Sequence, residues 1–394
     1  MSKILVVSQY YYPEEFQINV ICEKLAELNH KVEVITGLPN YPEGYVLEDY
    51  KKLKKRKEIH NNVSIERNFE IGRRKNPLFL ILNYISFSFI SSIKYLLKKK
   101  DFDLVFIYQL SPVLSALPGI ILGKKYKKNI VLYCCDIWPE SIKTLGIGEK
   151  NLIFKFGKII SRYVYKNCTK IIVQSPPFVD YFQSELGITK DKIEYIPQFA
   201  NSSYLNEDYY TNNIVKNIVF LGNVGYAQNL EVLIDSLKYV KNNNYKIHIV
   251  GSGSNLKNLV NEVIRKGLTE KVIFYGRQPA EKMGEFYKIA DVCFLSLRVD
   301  NKTGFTIPLK LQGYMAAGKP ILAAIEGGAK DVILEANCGI VVDPNDKINL
   351  GKEITRIINN EYDLKEMGKN ARNYFKMHFT FDIYINKLLK ILDI

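Results

Sequence analysis

The chain has 394 residues, more than one hydrophobic core ordinarily supports, so two domains of about 200 residues each are expected. Its composition, 47% hydrophobic and 24% charged, excludes the disordered and fibrous classes. A formal net charge of +14 calls for an anionic partner, whether nucleic acid, an anionic membrane surface or a polyanionic substrate, and does not choose among them.

The opening "MSKILVVSQ" runs straight into a strand, which predicts that no secretory signal peptide is present. A helix follows, with Phe16, Val20, Ile21, Leu25 and Leu28 at helical spacing. The runs "KVEVIT", "LVFIY", "NIVLYCC", "KIIVQS" and "IEYIP" read as further strands with helical stretches between several of them. That alternation predicts a parallel sheet with helices on both faces.

One of those stretches, Pro77 to Leu97, has a single charge, Lys94, in 21 residues. Length and polarity make it a candidate span. Against a span, it interrupts a βαβ pattern and is basic at both ends, Arg73 to Lys75 and Lys98 to Lys100. Leu78, Leu82, Ile85, Phe89, Ile93 and Leu96 form an apolar stripe, with Asn83, Ser91 and Lys94 on another side. The stripe is expected to face the domain core. Two readings stay open: a wholly buried core helix, or a helix whose remaining aromatics and flanking lysines dock on an anionic bilayer surface.

Near Gln198 to Asn213 the periodicity stops in a polar, Asn-rich stretch that reads as a linker. The pattern then restarts with "NIVFLGNVG", "KIHIVGSG", "KVIFYG", "ADVCFLSL", "PILAAIEGG" and "GIVVDP". The expectation is two doubly wound α/β domains facing a cleft, residues 1–200 and 201–380. A C-terminal helix at 381–394 either packs on its own domain or crosses back to the first. Ligands of such sheets bind beyond the carboxyl ends of the strands. The six cysteines, Cys22, Cys134, Cys135, Cys168, Cys293 and Cys338, lack metal-finger spacing and are expected as buried reduced thiols of a cytoplasmic protein.

The stretch "TIPLKLQGYMAAGKPIL" predicts a short helix with Pro308 at its first position and Gly318 just past its end. Lys310 then lies in the first turn, where the positive pole of the helix dipole repels a cation. Either Lys310 points to solvent, or an anion binds there. Three glycine loops follow strands of the same domain: Gly222, Asn223 and Gly225; Gly251; and Gly327 with Gly328. Backbone N–H groups at such loops bind phosphate oxygens, so Lys310 and these amides suit a diphosphate.

These segments resemble glycosyltransferases of the GT-B fold, two Rossmann-like domains, in the large retaining family 4. The subgroup resembled builds bacterial surface polysaccharides and includes fucosyl- and N-acetylfucosaminyl-type transferases. The likeness rests on "SQYYYPEE", "DIWPES", "FLGNVGYAQNLEVLIDSL" and "IPLKLQGYMAAGKPIL". Two departures stand out. The glutamate pair common in the family falls at Phe305 and Gly313, so Gln312 or backbone would replace the ribose contact. Gln228 and Asn229 replace the usual arginine–lysine pair, which shifts phosphate binding towards Lys310.

The resemblance implies transfer of a sugar, with retained configuration, from a nucleotide-diphospho-sugar, by likeness a UDP-sugar, to a polyprenyl-diphosphate-linked saccharide acceptor. It implies a cytoplasmic enzyme peripheral on the inner face of the membrane, without cofactor, metal or nucleic acid. Asp136, after "IVLYCC", is the first-domain carboxylate expected to face the cleft, unless it only caps the turn before Trp138. Glu14 and Glu15 would line the acceptor side or be solvated loop carboxylates. Arg277 would neighbour the base or phosphate, and Pro308 would border the donor. Asp101 and Asp103 precede a strand and read as surface charge, not as metal ligands. A UDP-sugar 2-epimerase-like isomerase would need a cleft rich in acid and base groups, and the chain has only four histidines. A non-catalytic nucleotide-sugar binder is the other alternative. No nucleic-acid module is recognisable.

Overall fold

The computed structural model describes all residues except 53, 75, 146 and 299–305, and the backbone alone of 77, 144 and 145. The chain divides into two compact units, Met1–Ile196 with Ile385–Ile394, and Pro197–Tyr384.

The first unit holds an eight-stranded sheet. In chain order its strands are β1 (Lys3–Val7), β2 (Lys31–Thr36), β3 (Lys57–His60), β4 (Val63–Arg67), β5 (Leu104–Gln109), β6 (Asn129–Cys134), β7 (Lys170–Val173) and β8 (Ile193–Tyr195). Their spatial order is β3-β4-β2-β1-β5-β6-β7-β8, and all neighbours are parallel except the β3–β4 hairpin. The second sheet has β9 (Lys216–Leu221), β10 (Tyr245–Val250), β11 (Val272–Gly276), β12 (Val292–Ser296), β13 (Ile321–Ala324) and β14 (Gly339–Val342). Its order, β11-β10-β9-β12-β13-β14, reverses direction between β9 and β12. That is the switch point at which doubly wound sheets bind ligands. Central strands such as β5 and β12 are buried along their whole length, which explains their unbroken apolar runs.

The helix Gln17–Glu27 buries Ile18, Ile21, Cys22 and Leu25, while Val20 and Leu28 are exposed. The face is therefore turned from the one expected, because Ile18 and Cys22 belong to it. The polar stretch from Gln198 is packed on the second unit. Ala200 N donates to Phe379 O at 3.1 Å, and Tyr209 O accepts from the buried ammonium of Lys319. All six cysteines are buried and free.

The helix Pro77–Leu97 reverses its expected orientation. Leu78, Ile85, Phe89, Ile93 and Leu96 are exposed, Phe89 by 66%. Asn83, Ser91 and Tyr95 are buried. The core satisfies part of that polar side: Asn83 donates to Ile71 O at 2.7 Å and accepts from Gln9 Nε2 at 3.0 Å, whereas the Ser91 and Ser92 hydroxyls have no hydrogen-bond partner among the described residues. Phe87 and Tyr95, both fully buried, share that inward face, so ring burial and the hydrogen bonds of Asn83 together turn it inward. The helix Leu152–Lys166 shows a second apolar ridge of Leu152, Ile153, Phe156, Ile159 and Tyr163, all exposed. Both helices pack against the turn Val113–Ala116 of the same unit.

Candidate functional site

In the second unit the helix is Leu309–Ala316, so Pro308 is its N-cap residue, one place earlier than expected. Its end is as expected: Gly318, with φ +66°, donates to Met315 O, and Lys319 N donates to Tyr314 O. This crossed pair closes the helix in a Schellman motif.

Lys310 is the second residue of that helix. Its Nζ is shut from solvent and has no hydrogen-bond partner among the described residues. It lies 4.1 Å from the centroid of Phe220 at the end of β9, and a Cβ placed on Gly222 would come within 3.3 Å of it. Burial pushes its pKa down to about 7. A buried, unpartnered cation near a helix N-terminus is costly, and a bound anion would remove the cost.

The glycine loops are tied to each other. Gly222 N donates to Val250 O at 2.9 Å, Val224 N to Ser252 O at 2.9 Å, and Gly251 N to Gly276 O at 2.8 Å. Gly251 has φ +145°, and a Cβ there would lie 1.8 Å from Gly222 O, so only glycine permits the approach. Gln228 Oε1 accepts from Gly225 N at 3.0 Å and Asn223 Nδ2 at 3.4 Å. The amides of Gly222 and Gly225, expected as phosphate donors, are thus already engaged, because the loops brace one another. Asn223 N has no partner among the described residues, and its side chain is exposed. Gly327, with φ +72°, caps the helix Gly328–Glu335, whose first turn presents amides beyond β13.

The other expected donor contacts separate. Gln312 is withdrawn inside the unit: it is fully buried, and its Nε2 donates to Gln198 O at 2.7 Å. At Gly313 a Cβ would meet the Tyr287 hydroxyl at 3.1 Å, so Tyr287 fills the space a glutamate would need. Phe305, the other position of the missing pair, lies outside the described residues. Arg277 is exposed just past β11. Arg298 was missed. It follows β12 at the switch point, its Nε donates to Tyr226 O at 2.7 Å, and its guanidinium pairs with Glu231 at 3.1 Å. Only the sheet order identifies that position.

In the first unit Asp136 follows β6. Burial raises its carboxyl above the usual range, against hydrogen bonds from the Ser111 side chain and backbone. Ser111 Oγ also accepts from Trp138 Nε1 at 3.0 Å. The carboxylate is therefore anchored at the strand end, beside the turn that leads to Trp138. Glu14 is buried, not a solvated loop carboxylate: Oε1 accepts from Asn40 N at 2.6 Å and Tyr41 N at 2.5 Å. Burial outweighs these amides and pushes its pKa up to about 7. Glu15 is exposed. Glu70, also missed, accepts from Gln9 Nε2 at 3.0 Å and from Asn40, and burial holds its carboxyl well above the usual range. Asp101 is paired with Lys3, and Asp103 accepts from Lys3 N at 2.7 Å.

The flanking lysines of the apolar helix turn partly inward. Glu66 binds Lys94 at 2.8 Å, Lys98 at 3.0 Å and Lys100 at 2.7 Å. Burial alone would raise this carboxyl, but the three lysines together hold it well below the usual range.

Residues 15–203 match the family model Glycosyltransferase Family 4, and residues 211–374 match Glycosyl transferases group 1. The chain is 24% identical to a probable glycosyltransferase, WbjE, of Pseudomonas aeruginosa over 65% of its own length and 66% of the relative's. It is 26% identical to an alpha-1,4-N-acetyl-D-galactosaminyltransferase of Campylobacter jejuni, named for an acceptor on PP-undecaprenol, over 58% and 61%. It thus spans about two thirds or less of these relatives. Among solved structures, sucrose-phosphate synthase from Thermosynechococcus elongatus aligns over 100% of this chain and 98% of that one (TM-score 0.75, 17% identity). HepE of Anabaena, in complex with UDP, aligns over 99% of both (TM-score 0.71, 14% identity).

Proposed function

We propose, from the premise that this chain is a glycosyltransferase of the GT-B fold, that it moves a sugar with retained anomeric configuration from a UDP-sugar to a polyprenyl-diphosphate-linked saccharide. The acceptor would belong to the assembly of a capsule, O-antigen or exopolysaccharide. One observation carries the reading: the buried ammonium of Lys310 has no hydrogen-bond partner among the described residues and lies beside the Gly222 loop at the switch point of the second sheet. The UDP in the HepE complex and the PP-undecaprenol in the Campylobacter transferase's name support the donor and acceptor classes.

The chemistry asked of the chain is limited. The bond between the anomeric carbon and the diphosphate oxygen breaks, an acceptor hydroxyl adds to that carbon, and its proton passes to the departing diphosphate. Lys310 and the amides starting the helix Gly328–Glu335 offset the charge growing on the diphosphate. Asp136 is the anchored carboxylate that the first unit offers to a sugar hydroxyl. No divalent metal is assigned a part: Asp101 and Asp103 are engaged by Lys3. Activity should therefore persist in excess chelator.

An acceptor of that class would hold the enzyme at the inner face of the cell membrane. The exposed ridges of Pro77–Leu97 and Leu152–Lys166 suit burial at a bilayer surface. Lys99 and the lysines around Leu152, among them Lys150 and Lys155, suit an anionic leaflet. The experiment is a donor screen by thermal shift, then product analysis with a lipid-linked saccharide. Nucleoside diphosphate released only with acceptor supports the reading. An epimerised nucleotide sugar, or no turnover with any pair, contradicts it.

A further inference from the structure

Gly44 to Val46, Tyr50 to Lys52 and Arg56, with Phe69 to Gly72 and Arg74 from the chain leaving β4, line a cavity of 570 Å³ in the first unit. Its walls are largely apolar, with Leu38, Val46, Tyr50 and Ile71 among them. Its rim is cationic: Lys51, Lys52, Arg56 and Arg74. Lys51 is paired with Glu48, whereas Lys52, Arg56 and Arg74 have no acidic partner among the described residues. Arg56 Nε is buried without a hydrogen-bond partner. Arg74 is fixed in place, its N donating to Gly44 O at 2.8 Å and its guanidinium lying 3.9 Å from the centroid of Phe79. The acid in the lining, Glu70, is directed inward to Gln9 and Asn40.

A second cavity of 390 Å³ shares Arg56 and Phe69 and reaches Ile90, Lys94 and Lys98 on the apolar helix. Through these shared residues the two adjoin as a groove; its second part is lined also by Lys57, Arg67 and Glu66, the last paired with Lys94 and Lys98, and lies beside the exposed face of that helix.

We infer that this groove holds the diphosphate and first isoprene units of the lipid-linked acceptor, with Arg56, Arg74 and Lys52 on the phosphate oxygens and Phe69 and Ile90 along the chain. Arginine forks fit phosphate oxygens two at a time, and an apolar wall beside them selects a prenyl diphosphate over a free one. The inference rests on the reading that the acceptor is lipid-linked.

Calorimetry of farnesyl diphosphate and inorganic diphosphate, on full chain carrying Lys310→Ala to silence the donor site, tests it. Farnesyl diphosphate should bind at least tenfold more tightly than inorganic diphosphate. Arg56→Glu with Arg74→Glu should weaken farnesyl diphosphate at least tenfold, and the exposed Lys52→Glu about threefold, by loss of charge-assisted contacts. With Lys310 intact, UDP binding should be unchanged in these variants. Equal affinity for the two probes, or undiminished binding in both Lys52→Glu and the double variant, would overturn the assignment. Farnesyl diphosphate bound in the groove without transfer to any lipid acceptor would contradict the transferase reading alone. Transfer undiminished in the double variant would contradict this inference alone.

Discussion

The ammonium of Lys310 sits 4.1 Å from the centre of the Phe220 ring and has no hydrogen-bond partner among the described residues. Burial lowers its pKa to about 7, so near neutrality the free enzyme carries a mixture of charged and neutral lysine. A diphosphate favours the charged form and raises the pKa again. Above pH 7, binding should therefore take up a proton. Affinity should fall with rising pH, by up to about tenfold per unit, until the pKa of the complex is reached. UDP titrations at pH 8, in two buffers of different ionisation enthalpy, measure the uptake. No uptake would place the phosphate away from Lys310.

The Tyr287 hydroxyl occupies the space beside Gly313. Gly313→Glu should not restore a ribose contact. Forcing a side chain into this site should destabilise the second unit by about 1–3 kcal/mol, read as a lower denaturant midpoint. Gly313→Glu with Tyr287→Phe should recover part of the loss. A Gly313→Glu protein as stable as the parent would show that Tyr287 moves aside freely.

Glu14 gives a pH signature of the first unit. Its folded pKa, about 7, lies above the usual carboxylate value of about 4.3. The folded state thus binds the proton more tightly. This contribution is fully present below pH 4 and lost as pH rises to 7. Glu14→Gln should remove that slope while keeping an acceptor for the Asn40 and Tyr41 amides. Its melting temperature relative to wild type should rise between pH 5 and pH 8. A difference that does not change with pH would mean that Glu14 titrates normally.

The two exposed ridges predict membrane behaviour. Phe89→Ser with Phe156→Ser should weaken sedimentation with anionic vesicles by severalfold and change stability by no more than about 0.5 kcal/mol, as expected for exposed sites. The remaining attraction should be screened by salt. Vesicle binding that persists unchanged in the double variant would remove both ridges from the interface.

Much of the sheet content was legible because buried parallel strands read as unbroken apolar runs. The alternation of strand and helix then leaves few arrangements. The helix around Lys310 was legible from Pro308 and Gly318, each tied to one backbone requirement. The orientation of Pro77–Leu97 was not. A stripe of leucine and phenylalanine looks like a core face, and only the partners of Asn83, Tyr95 and Lys94 show that the opposite side is packed. Arg298 and Glu70 were hidden for a similar reason: their roles depend on strand order and on distant donors such as Gln9. The glycine loops were found, but that they bond to one another needs the neighbouring strand.

The most direct measurement is calorimetric binding of UDP to wild type and Lys310→Ala at pH 7 and low salt. A charge-assisted phosphate contact contributes about 1.5–3 kcal/mol, so the variant should bind at least tenfold more weakly and keep its melting temperature within a few degrees. Equal affinity in the two proteins would show that the buried ammonium is not the donor's phosphate partner, and would contradict the account of this site.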